Sequence, residues 1–205
     1  MAEQQTVVVN RLGSDRAEMM GYYRFLRNER VEPGLILGAI QSHCKQALMP
    51  RHYLCLQDTT ELNYAHNNGR RGPFELGLVG NDVDHGLFAH VCLMVDAVEL
   101  CAVGVGNVEL WGRDNDNGQH EKGKSGAGRD KESKRWVDGP NKAKEVLPEG
   151  AKLTVVGDRE MDKFEVMAQV PDHQTDFLLR SNHNRLLANS QKLYDFFATF
   201  EHTGV

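Results

Sequence analysis

Two apolar runs, Leu87 to Val98 and Leu100 to Trp111, stand almost end to end near the middle of the chain. Both are rich in Val and Leu, and a turn is expected near Asp96–Glu99. Bounded runs of this kind read as strands, so two neighbouring strands of one sheet are expected here. Shorter candidates flank them. His52 to Leu56 is an extended run ending in Gln57-Asp58-Thr59-Thr60. Leu153 to Val156 is a four-residue strand that turns out through Gly157-Asp158-Arg159-Glu160. Asp176 to Leu179 is another, ending at Arg180. Residues 67–86, rich in Gly, Asn and Asp, read as loop or hairpin.

Helical spacing fills the remainder. Ser14 and Asp15 offer an N-cap for a helix carrying Ala17, Met20, Tyr23 and Leu26 on one face. Pro33 starts a second helix that runs toward Pro50. Ser133 to Leu147 reads as a helix bent or interrupted at Gly139-Pro140, and Met161 to Val170 as another helix. Leu193, Phe196, Phe197 and Phe200 mark a last apolar helix or strand. This order predicts a mixed α/β sheet flanked by helices, antiparallel in its first part and crossed over in its second. The expected organisation is a helical N-terminal segment, 1–50, and a core, 51–205, interrupted by a mobile basic loop at 112–132.

The 205 residues suit one domain with a short appendage. A formal net charge of −5 excludes a wholly basic nucleic-acid binder but not a local basic groove. Lys122 to Lys144 holds eight Lys or Arg against three acids, which is either a solvated face or a contact to a phosphate backbone. No apolar run is long enough to span a bilayer, and the N-terminus carries no basic region ahead of its short apolar run. Cys44, Cys55, Cys92 and Cys101 form no C-x-x-C pair. They read as buried hydrophobes in a reduced, cytoplasmic setting.

Several motifs fall away. Gly118 to Ser125 matches G-x-x-x-x-G-K-S/T letter for letter. A phosphate loop also needs a strand running straight into it and a helix starting at its Lys-Ser. Here Arg113 to Asn117 precedes it, and Gly126-Ala127-Gly128 is expected to break that helix. Val103-Gly104-Val105-Gly106 begins like a dinucleotide fingerprint but has Glu109 where the third glycine should fall, so these glycines belong to a packed strand or bulge. The nine histidines show no zinc-hydrolase spacing, and His90 reads as a satisfied core or sheet-face histidine. No Gly-x-Ser-x-Gly is present.

Asp58 and Asp158 remain. Each is expected at the C-terminal end of an apolar strand, and if those strands pair, both carboxylates emerge on one sheet edge. Converging carboxylates give Mg²⁺ or Mn²⁺ hard oxygen ligands and leave the rest of its shell to water and phosphate. Two such ions, roughly 3.5–4 Å apart, would activate an attacking oxygen and stabilise a leaving one. The alternative is structural: an Asp at a strand end caps the next helix or forms an Asx turn, and Asp58-Thr59-Thr60 also fits that.

From about Asp15 to Phe196 the chain resembles, in order, the cut-and-paste DDE transposases of the insertion-sequence-four family. Ala17 to Asn28 is similar to the helical segment before the catalytic core. Asp58-Thr59-Thr60-Glu61-Leu62-Asn63-Tyr64 resembles the first-aspartate motif, and Gly157-Asp158-Arg159-Glu160-Met161-Asp162 the second. Gly86 to His90, Lys131 to Trp136 and Phe177 to Ser181 resemble the second strand, the start of the first core helix and a strand with its DNA-contacting end. The resemblance implies an RNase H-like core, Mg²⁺ (or Mn²⁺) binding, and hydrolysis and strand transfer at transposon ends. It places Asp58 and Asp158 as metal-binding catalytic carboxylates and Arg159 and Arg180 near DNA phosphates. It also implies a nucleoid-associated cytoplasmic protein, with no membrane association, that pairs with itself or with full-length transposase.

Two departures qualify the match. The family's third carboxylate, a Glu in a Tyr-x-x-Arg-x-x-x-Glu pattern, has no counterpart after Asp158, since Tyr194 is followed by Phe197 where Arg should stand. The basic end-recognition segment and the C-terminal dimerisation region also have no counterpart, so a truncated, catalytically weak or dead form is expected. Its alternative role is as an inactive inhibitor or accessory protein that binds DNA or transposase.

Overall fold

A computed structural model describes residues 6, 8–64, 76–80, 84–112 and 127–200, giving only the backbone for 127–132. The helices are α1 (Val9–Leu12), α2 (Arg16–Leu26), α3 (Pro33–Ala47), α4 (Ala127–Lys144), α5 (Phe164–Gln169) and α6 (Leu193–Phe197). The strands are β1 (His52–Asn63), β2 (Gly77–Leu78), β3 (His85–Asp96), β4 (Ala102–Trp111), β5 (Lys152–Gly157) and β6 (Thr175–Leu179). They form one mixed sheet in the order β2-β3-β1-β5-β6, with β4 also paired to β3. The pairs β1–β3, β2–β3 and β3–β4 are antiparallel, whereas β1–β5 and β5–β6 are parallel. The expected division into an antiparallel first part and a crossed-over second part is therefore what forms. The β5-to-β6 crossover runs through α5, whose Val166 is fully buried.

Alternation along the strands decides which face is covered. In β1, Tyr53, Cys55 and Gln57 are buried while Leu56 and Asp58 are exposed. In β3, His90, Cys92 and Met94 are buried, and their partners across the ladder are Thr59, Gln57 and Cys55. These residues meet Trp136, Val137 and Ala143 of α4 and Cys44 of α3, so both helices lie on one face. The opposite face carries the row Val105, Leu93, Leu56, Val156 and Leu178, linked by the strand registers. Leu178 on that row is 62% exposed. Three of the four cysteines are buried in this core, as expected, and Cys101 is exposed.

Helix caps and turns follow the local chemistry. Asp15 caps α2, its side chain accepting from Glu18 N at 2.8 Å, and Pro33 opens α3. Asp96 Oδ1 accepts from Val98 N and Glu99 N, closing the β3–β4 turn where it was expected. Outside the core, α2 and α3 leave an apolar groove of about 660 Å³ against β4, lined by Phe25, Leu35, Ile36, Ile40 and Gly104.

The structure corrects several boundaries. β1 does not stop at Leu56; pairing with β3 carries it to Asn63, because the ladder outweighs the turn chemistry of Asp58-Thr59-Thr60. The segment after Asp158 is a short 3-10 turn, Arg159–Met161, and the helix is shortened to Phe164–Gln169. α4 starts at Ala127 rather than Ser133, so the loop expected at 112–132 is helical over its last six positions, and Gly128 does not prevent a helix. The G-x-x-x-x-G-K-S string at 118–125 lies outside the described residues, and β4 ends at Trp111, well short of it. α4 also runs on through Gly139 and Pro140 to Lys144. Of the segment 67–86 only 76–80 and 84–86 are among the described residues, and there β2 pairs antiparallel with His85 and Gly86. The C-terminal apolar segment resolves as a helix.

Close approach of α3 to β4 depends on Gly104, where a Cβ would stand 2.9 Å from both Cβ and Sγ of Cys44. We expect Gly104→Ala to cost about 1–3 kcal/mol in urea denaturation, since helix and strand must separate. Gly38, within α3 and with nothing near its Cβ position, is the contrasting site. Gly38→Ala is expected to stabilise by about 0.5–1 kcal/mol.

Candidate functional site

Parallel pairing of β1 with β5 sets the site. The last paired residues are Leu56 and Val156, and two positions further on each strand stand Asp58 and Asp158. β5 and β6 pair up to Gly157 and Leu179, so Asp158 and Arg180 are the next positions on each. Arg180 N donates to Gly157 O at 3.3 Å, holding that strand end in place. Asp58, Asp158 and Arg180 thus follow one another across three adjacent strands, all exposed. Asp58 and Asp158 alternate with buried Gln57 and half-buried Gly157, which puts them on the face away from α3 and α4. Contrary to expectation, Asp58 lies inside its strand; Asp158 lies just beyond the end of β5.

Both carboxylates are oriented by nearby amides. Asp58 Oδ1 accepts from Thr59 N at 2.7 Å, without the turn the structural alternative required. Asp158 Oδ1 accepts from Glu160 N at 2.8 Å and caps the 3-10 turn, as that alternative foresaw for a strand-end Asp. Two exposed carboxylates from adjacent parallel strands are a donor set of the right hardness for Mg²⁺ or Mn²⁺. Among the described residues, no third His, Cys, Asp or Glu completes a cluster with them.

Beneath this row, on the helix side, lies a polar network. His90 is fully buried, with Nδ1 2.8 Å from Thr59 Oγ1 and Nε2 3.1 Å from Gln57 Oε1. Its ring meets Trp136 edge to face at 4.9 Å. Burial, the dominant influence, holds His90 below the usual imidazole range, although Glu109 and Asp58 pull the other way. His90 is the satisfied core histidine expected from its apolar run. Nearby, Arg135 donates to Glu109 at 3.0 Å and stacks over Trp111 at 3.6 Å. Lys144 pairs with Asp172 at 2.8 Å. Two cations of the basic stretch 122–144 therefore hold the fold together.

Asp162 was not singled out from the sequence. It is buried, and its Oδ2 accepts from Asn182 N at 2.6 Å and His183 N at 2.9 Å. Its Oδ1 accepts from Arg185 at 2.7 Å. This clamp ties the turn after Asp158 to the segment after Arg180. Only its spacing, one helical turn beyond Asp158, could have marked it. Arg159 lies in the 3-10 turn and is exposed. No protein-family model matches the chain.

Burial opposes ionisation of Asp162, but the Arg185 guanidinium and the two amides outweigh it and hold the carboxyl below the usual aspartate range. A lowered folded value gives stability that is fully present above the unfolded value, ~3.9, and is lost as pH falls through the folded one. We expect Asp162→Ala to lose roughly 3 kcal/mol at neutral pH, because it strands the Arg185 charge and two amides. Urea midpoints measured below about pH 4 should then fall less steeply than in the unaltered protein.

Proposed function

We propose that this protein is transposase-like, with an RNase H-like core that handles DNA phosphodiesters at transposon ends. The observation that carries this reading is the emergence of Asp58 and Asp158 two positions past one parallel register pair, with Arg180 beside them. The strand order β4-β3-β1-β5-β6, antiparallel among the first three and parallel thereafter, supports the RNase H-like reading. Asp58 and Asp158 would hold Mg²⁺ or Mn²⁺, which when bound supplies Lewis acidity at a phosphoryl oxygen. Arg180 and Arg159, both exposed, offer guanidinium forks to the phosphates on either side of the scissile bond. The reaction class is hydrolysis, in which water adds to phosphorus and a 3′-hydroxyl leaves, followed by attack of that hydroxyl on a second strand.

A second reading has its own support. Among the described residues the two aspartates gain no third carboxylate, and two carboxylates hold a metal weakly. The chain would then bind DNA or a full-length transposase as an inhibitor or accessory factor.

Plasmid nicking with Mg²⁺ or Mn²⁺ tests the first reading. Cleavage that disappears in Asp58→Ala and in Asp158→Ala is the expected outcome if the site is complete. DNA binding without cleavage, unchanged by Asp58→Ala, would favour the second reading. Cleavage that survives both substitutions would sink the metal assignment.

A further inference from the structure

We infer that Thr59, His90 and Gln57 form a buried positioning relay that aims Asp58 from beneath; the inference rests on the metal reading above.

Donor–acceptor accounting begins in α4. Pro140 has no N–H, so the carbonyl of Trp136, four residues earlier, is left without its helical donor. Gln57 Nε2 takes that place, 3.4 Å from Trp136 O, and also lies 3.2 Å from Met161 Sδ. With its nitrogen used there, Gln57 presents Oε1, an acceptor, to His90 Nε2. His90 therefore carries its proton on Nε2. Nδ1 is left as an acceptor and accepts a hydrogen bond from the Thr59 hydroxyl. Turning the Gln57 amide over would set its oxygen against the Trp136 carbonyl, so one arrangement satisfies every group.

The chain of bonds ends at the site. Thr59 is pinned through its hydroxyl, and its own N–H holds Asp58 Oδ1 at 2.7 Å. Gly139 makes room for the imidazole, since a Cβ there would stand 3.2 Å from His90 Cδ2. Replacing such a buried polar set by apolar groups of the same shape is often neutral or stabilising, so stability alone does not call for it. Here they lie directly beneath one of the two exposed carboxylates and link it to α4.

The test uses the full chain and Mn²⁺ alone, followed by electron paramagnetic resonance, with imidazole ¹⁵N shifts as an independent readout. We expect Thr59→Val to weaken Mn²⁺ binding about tenfold, as loss of an outer-shell partner does, and Thr59→Ser to restore it. We also expect His90 in the unaltered chain to show a neutral, Nε2-protonated imidazole. An Nδ1-protonated ring would overturn the relay whatever the metal does. Unchanged Mn²⁺ affinity in Thr59→Val, with binding abolished in Asp58→Asn, would overturn the relay and leave the metal site standing. Mn²⁺ affinity indifferent to Asp58→Asn would instead remove the metal site, and the relay's purpose with it.

Discussion

Everything in this molecule hangs on β1 being paired on both sides. Antiparallel bonding to β3 fixes its register from Tyr53 to Asn63, and parallel bonding to β5 fixes it again from His52 to Leu56. Because side chains alternate, one register assigns every residue of the strand to a face. Tyr53, Cys55 and Gln57 go to the helices, and Leu56 and Asp58 go to the open side. A slip of one position would bury Asp58 in the core and expel Gln57. The site is thus a consequence of how the core packs, and the same alternation that seals Cys55 against α4 presents the carboxylate.

Around that strand, polar groups bind the elements together where apolar packing would not specify a geometry. Gln57 and His90 join β1 and β3 to α4. Arg135 joins α4 to β4, and Lys144 joins it to the turn before β6. Asp162 joins the turn after β5 to the stretch after β6. Each link is a charged, amide or imidazole group with its partners supplied, the condition under which burial of polarity is tolerable. Two cations of the stretch that read either as a solvated face or as a phosphate contact are engaged in these links.

Much of the sheet was legible in the residues. The Val- and Leu-rich runs ending at Val98 and Trp111 became β3 and β4, and Asp96 closed the turn between them. Leu153 to Val156 and Asp176 to Leu179 were located almost to the residue. The far half of β1 was not, because Gln-Asp-Thr-Thr carries turn chemistry and only its distant partner on β3 overrides it. The site followed the same division. Asp58 and Asp158 could be picked out by their strand contexts. Gln57 could not, since nothing local says that a glutamine will face a histidine 33 positions on. Nor could Asp162, whose partners lie about 20 positions downstream.

The parallel pairing of β1 with β5 joins Leu56 to Val156, one hundred positions apart. Contacts so distant along the chain are slow to form, because a long loop must close before any bond rewards it. As the chain leaves the ribosome, β1, β3 and β4 can zip together first from neighbouring sequence. Until β5 emerges, β1 then shows a bare row of amides and carbonyls, the kind of edge on which other chains template. Asp58 and Glu61, both exposed, stand just beyond the segment His52 to Leu56 that awaits β5 and put negative charge beside it. The register that turns Asp58 outward would in this way also help guard the half-made sheet.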